Sequence, residues 1–291
     1  MNHPAEPAQH ARGIALMLAS TACFTTNVLL VRALGEIESV NVWLVSCVRF
    51  VAGMAVILAV YRRGFQFQRL FINPKLASRG IVGGAGVYAY YLTVVHLGAG
   101  RATFINNTYV IFGALMAVWL LGERFRVALA AGSLAALAGL ALLTNAFAAD
   151  SHASVYDFVA VITALASAYV VVTIRQLHAT EHTSTIFAAQ CVYGLIICTL
   201  PALLLMQVVS ATGWTMMALA GLFASLGQIM MTRAFRELPV AEGSLLQMLV
   251  PVGIAAGGVV FFAERFVAHE LAGAALILGG IAFTTVRRGG A

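Results

Sequence analysis

Asn106, Asn107, Thr108 and Tyr109 lie in the stretch FINNTYVIF, Phe104 to Phe112, whose other residues are all apolar. Amides and hydroxyls donate and accept hydrogen bonds without carrying charge, which suits them to hold a ligand or a neighbouring helix. An unpartnered amide moved out of water costs roughly 2–7 kcal/mol, so each requires a protein group, a bound water or a ligand. Asn27, Arg49, Tyr88, Tyr91, Asn106, Tyr109, Tyr169, Gln228 and Gln247 are embedded in apolar surroundings in the same way. Any single member reads as a bond between helices. The set as a whole exceeds what packing requires and points to a polar, substrate-binding cavity.

The elements that must position these residues follow from composition. The 291-residue chain is 61% hydrophobic and 10% charged, with a mean hydropathy of +0.93, whereas soluble domains are roughly 45–50% apolar and 25% charged. Apolar segments long enough to cross a bilayer recur at about 13–32, 41–61, 78–97, 101–121, 127–147, 154–174, 184–206, 213–233, 240–262 and 268–286. They lack strand-like alternation, and a spanning helix satisfies its own backbone. The expected fold is an all-α polytopic membrane protein of ten transmembrane helices.

Basic residues set the expected orientation. Thirteen of them, among them Arg12, Arg62, Arg63, Arg69, Lys75 and Arg79, fall on one side, and three, Arg32, Arg101 and Arg265, on the other. Both termini are therefore expected in the cytoplasm. The net charge of +6 is a topology signal, and without a recognition motif it does not suggest nucleic acid. The stretch YRRGFQFQRLFINPK mixes aromatics with cations, as an inner loop lying at lipid headgroups would.

Residues from Leu120 (LLGERFRVALAAGSLAALAGLALLTN) align with those from Phe261 (FFAERFVAHELAGAALILGGIAFTTV). The offset of 141 matches Glu123 to Glu264, Gly132 to Gly273 and Gly139 to Gly280. The chain reads as two five-helix repeats, 1–147 and 148–291. An odd number of spans inverts the second copy, the architecture of many secondary transporters, with a central cavity near the midplane. At the same offset Asn106 corresponds to Gln247. Each half then carries one amide at an equivalent depth. Asn106, Tyr109 and Gly113 share a helix face, as do Ser244, Gln247, Pro251 and Gly258, and Ser225, Gln228 and Thr232. Pro251 frees the carbonyl of Gln247.

Several chemistries find no support. The four cysteines lack metal-ligand spacing and read as packing residues. No Walker motif, zinc-protease pair or G-x-S-x-G stretch occurs, so neither an enzyme nor an ATP-driven pump is expected, and no cofactor. Acidic residues lie at span ends, which favours facilitated transport over proton coupling. Glu123 and Glu264 read as helix-end contacts, and His96 as interfacial.

Ten spans, a doubled five-helix unit, and Gly122-Glu123-Arg124 and Ala263-Glu264-Arg265 ahead of Gly-rich helices resemble the drug/metabolite transporter superfamily, EamA type. Within it the chain is most similar to YddG-type exporters. That resemblance implies export of aromatic and other neutral amino acids across a bacterial inner membrane, with lipid and a small-molecule substrate as partners and a monomer as a plausible state. Other branches carry nucleotide sugars or phosphorylated compounds, which would favour more basic cavity residues than Arg49. A non-transporting membrane scaffold is the remaining alternative. One departure from the family pattern is that Val110 stands opposite Pro251, so proline gives no reason for the fourth span to kink as the ninth does.

Overall fold

The computed structural model describes residues 7–60, 65–124, 126–146 and 154–286. Arg62, Arg63, Phe125, Asp150, Arg287 and Arg288 lie outside the described residues. The described chain forms thirteen α-helices: α1 (Pro7–Ile37), α2 (Val42–Val60), α3 (Arg69–Ile72), α4 (Pro74–Leu97), α5 (Ala99–Asn107), α6 (Tyr109–Leu121), α7 (Val127–Leu143), α8 (Val155–Leu177), α9 (Thr183–Leu204), α10 (Ala211–Glu237), α11 (Val240–Gln247), α12 (Leu249–Phe262) and α13 (Ala268–Val286). Seven helical segments are long and apolar enough to cross a membrane, with α5 and α6, and α11 and α12, each counted as one. α7 and α13 are shorter apolar helices. Large apolar side chains such as Trp119 and Phe261 stand outward, 84% and 73% exposed, as lipid-facing residues do.

The helices form two compact units. Unit 1 comprises Met1–Tyr88 and Thr173–Leu238, and unit 2 comprises Ala89–Val172 and Pro239–Ala291. Neither is a single half of the chain, since each takes helices from both.

In unit 1, α1 runs along α10, and α2 packs on α9 and α10. Two side chains of α1 that are two turns apart tie the first pair together. Ser20 Oγ donates to the carbonyl of Gly227 (2.8 Å) and Asn27 Nδ2 to that of Ala220 (2.9 Å). The bonded carbonyls descend α10 as the donors ascend α1, so these two helices are antiparallel. The glycines of α4 admit α9 at close range: a Cβ at Gly80 would lie 2.6 Å from the Ala189 carbonyl oxygen, and one at Gly84 2.8 Å from Gly194 Cα.

In unit 2, α7 packs against α13. Gly132 meets the carbonyl of Gly280 and Gly139 that of Gly273, and each contact is reciprocated. The helices aligned by the 141-residue offset therefore lie on each other antiparallel, joined by their own repeated glycines.

Two helices break where the halves correspond. α5 gives way to α6 at Thr108, and α11 to α12 at Met248. Pro251 accounts for the second break, because it cannot donate to the carbonyl of Gln247. The first break, where Val110 stands in place of a proline, is made by side chains. Asn107 Nδ2 donates to the Thr103 carbonyl (2.8 Å) and Thr108 Oγ1 to that of Ile105 (2.6 Å). Local bonds of this kind compete with the helical ladder.

Candidate functional site

Both units hold polar side chains among apolar ones. In unit 2 they gather at the two helix breaks. Asn106 is the next-to-last residue of α5 and Gln247 the last of α11. Asn106 Oδ1 accepts a long hydrogen bond from Ser167 Oγ of α8 (3.4 Å). Tyr109 opens α6 with its hydroxyl beside that of Ser244 of α11, a fully buried serine. Gln247 is 8% exposed. Gly113 faces Val171 and Val240, so the stripe expected of Asn106, Tyr109 and Gly113 turns into the unit. Tyr91 packs at a tilt on Tyr90, whose hydroxyl bonds Thr103 Oγ1 at 2.9 Å. Tyr169 is half-buried on α8.

Asn107 and Thr108 belong to the backbone of the break, whereas Asn106 retains its amide nitrogen for another partner. Glu123 accepts the N–H of Val240 at 3.2 Å through one carboxylate oxygen and 3.3 Å through the other, so it binds the start of α11 as a helix-end contact. A cavity of about 190 Å³ in unit 2 is lined by Ile111, Leu115, Glu123, Arg126, Leu129 and others. Neither Asn106 nor Gln247 borders it.

In unit 1, Asn27 is engaged by the Ala220 carbonyl, a bond between helices. Tyr88 stacks on Trp43 with ring centroids 3.5 Å apart. Gln228 is 5% exposed on α10, between Ser225 and Thr232. The hydroxyls of those two neighbours bond back to carbonyls one turn earlier, both at 2.7 Å. Arg49 is half-buried, its backbone carbonyl accepting from Ser225 Oγ (3.4 Å).

Two buried polar residues of unit 1 escape a reading of the sequence. Arg79 looks like one more inner-face cation at a span end, yet it is 0% exposed. Gln190 is a lone amide in an apolar run of α9 and is 5% exposed. The signal that could have found them is Gly80, Gly83 and Gly84, which directly follow Arg79 and mark a surface that a neighbouring helix approaches.

Outside the spans, His178 follows α8, and its ring nitrogen lies 2.7 Å from the Thr232 carbonyl. Burial lowers its pKa to about 4; the Thr232 bond opposes this, and Arg236, Arg175 and His182 add to the lowering. Arg101 pairs with Asp157 at 2.7 Å, and Asp157 also caps the start of α8 by accepting from the Ser154 N–H (2.7 Å).

Comparison with known proteins agrees with this layout. The chain is 29% identical over 283 residues, 94% of its length, to the pseudopaline exporter CntI of Pseudomonas aeruginosa strain UCBPP-PA14, covering 97% of that protein. The same figures hold for CntI of strain PAO1. A solved crystal structure superposes with a TM-score of 0.80 at 22% identity, over 96% of this chain and 98% of the other, which speaks to fold alone. Residues 11–145 and 154–286 each match the EamA-like transporter family. A doubled helical unit, repeated glycine seams and a family match in each half lead to one assignment: the chain belongs to the EamA-like transporter family, whose members are membrane transporters and not enzymes.

Proposed function

We propose that this protein is a secondary exporter of small metabolites with an amino-acid head group, aromatic and other neutral amino acids foremost. It works by alternating access across a bacterial inner membrane without ATP. Ten spans form two inverted repeats, 1–147 and 148–291, with both termini cytoplasmic. The observation that carries the reading is that a helix is interrupted in each half and that each interruption directly follows an uncharged amide region, Asn106 in one and Gln247 in the other. Interrupted helices are where secondary transporters expose backbone groups to a substrate. Asn106, Tyr109 and Gln247 are the principal contacts in this proposal, with Tyr91 and Tyr169 of the same unit as further candidates. The curated relative named as an exporter supports the direction of transport.

The test is uptake of labelled L-phenylalanine into sealed vesicles containing only the purified protein, driven by a phenylalanine gradient. Counterflow without ATP or an imposed proton gradient is expected. No movement of phenylalanine or of any other neutral amino acid overturns the substrate class, and an obligatory requirement for a proton gradient overturns the facilitated mechanism.

A further inference from the structure

Arg79 is the largest fully buried side chain among the described residues. Its Nε, Nη1 and Nη2 all lack a hydrogen-bond partner among the described residues. An arginine near the end of a spanning helix ordinarily extends to the membrane surface and keeps its charge in water. Side chains on a helix also tend to lean back over the preceding turn. Arg79 does neither. It sits in the second turn of α4 and runs forward along the helix, so that a Cβ at Gly83 would lie 2.8 Å from Nη1. Glycine at position 83 leaves the guanidinium its room.

The same point is 3.6 Å from the Cδ of Gln190 on α9. The nitrogen of that amide donates to the Gly83 carbonyl (3.4 Å), and its oxygen, also buried, has no partner. A bond between Arg79 and this one oxygen would serve one of three guanidinium nitrogens and leave two unmet. Cys191, the next residue, lies within electrostatic reach of both Arg79 and Arg49. The locality is therefore positive, and it combines free donors on a charged planar fork with one free acceptor. Charged donors without a counter-charge are retained in lipid only at a high energetic cost.

A carboxylate matches the fork in geometry and charge. An adjacent N–H or ammonium matches the free Gln190 oxygen. We propose that Arg79 and Gln190 form a binding site in unit 1 for the head group of an amino-acid-type ligand. Arg79 takes the carboxylate, and Gln190 Oε1 accepts from the amino group. This deepens the functional reading above and rests on it, since the ligand is the transported substrate.

The experiment measures affinity by titration of the full chain in lipid nanodiscs with three probes: L-phenylalanine, phenethylamine, which lacks the carboxylate, and 3-phenylpropionate, which lacks the amino group. Wild type is expected to prefer phenylalanine over both. Arg79→Gln should lose roughly tenfold or more in phenylalanine affinity and leave phenethylamine binding near its original value, removing the discrimination between them. Gln190→Leu should remove the discrimination between phenylalanine and 3-phenylpropionate. Without ligand, the melting temperature of Arg79→Gln should equal or exceed that of wild type, because an uncompensated buried charge has been removed. Arg79→Lys keeps the charge without the fork and should recover only part of the affinity.

A melting temperature lowered in Arg79→Gln with the phenylalanine to phenethylamine ratio preserved would make Arg79 structural and overturn the site. Vesicle counterflow separates the two readings. Transport of phenylalanine with unaltered discrimination in both variants overturns this site alone, whereas absence of amino-acid transport in wild type overturns the functional reading and this site with it.

Discussion

At the scale of the residue, neighbouring amides have different work. Asn107 satisfies a carbonyl at the α5–α6 break, whereas Asn106 holds only a long bond to Ser167. Asn107→Leu should lower the melting temperature, by about 1 kcal/mol of stability, and leave phenylalanine affinity unchanged. Asn106→Leu and Gln247→Leu should show the converse, normal melting with binding weakened several-fold to roughly tenfold, measured on the same purified protein. Equal loss of stability from Asn106→Leu and Asn107→Leu would return both to structural roles. His178 supplies a pH signature. Its folded pKa of about 4 lies below the ordinary 6.5, so the unfolded chain binds the proton first, and stability present above pH 6.5 is lost as pH falls towards 4. The expected difference is up to roughly 3 kcal/mol. It should appear as a melting-temperature advantage of wild type over His178→Gln that shrinks on acidification. What could be read from the sequence was that FINNTYVIF is polar in an apolar setting. Which amide faces along its own helix and which faces away depends on where the helix breaks, and Val110 in place of proline concealed that break.

Helices and their seams were more legible than individual contacts. Long apolar segments announce helices in lipid, and the 141-residue offset announces their repetition. The glycine matches at Gly132 and Gly273, and at Gly139 and Gly280, were visible as an alignment. Their pairing across two helices, Gly132 with Gly280 and Gly139 with Gly273, appears only once α7 and α13 are antiparallel. Gly139→Leu should therefore be costly. Its Cβ would stand 2.5 Å from the Gly273 carbonyl oxygen, a backbone atom that cannot rotate aside. A loss of about 1–3 kcal/mol, or failure to recover folded protein, is expected in thermal unfolding. Gly86, whose Cβ would meet nothing within 4 Å, is the control and should accept alanine. The burial of Arg79 is not legible in this way, because a cation at a span end ordinarily reaches for water, and only the packing of α9 over Gly80 and Gly84 of α4 encloses it.

For the whole molecule, orientation is the first quantity to measure. Single cysteines introduced at Lys75 and Arg126 in a cysteine-free background should react with an impermeant maleimide only from the cytoplasmic side, and one at Ser39 only from outside. All three positions are exposed. Reversed labelling would refute the topology expected from the basic residues. The family was legible from sequence because the Glu-Arg ends and glycine-rich helices occur twice. The cargo was not, because a few uncharged amides and tyrosines are compatible with many small molecules.

The glycine seam between α7 and α13 also bears on descent and on engineering. It joins a helix from the first half of the chain to its counterpart in the second, each side presenting a matched pair of glycines to the other. A surface that recognises its own duplicate would equally have joined two separate half-length polypeptides inserted in opposite senses, before any linker fused them. The covalent connection across 147–153 would then be dispensable. Fragments ending at Phe147 and beginning at Ser154, produced together in one cell, should find each other through this seam and co-purify, and Gly139→Leu in the first fragment should abolish the association.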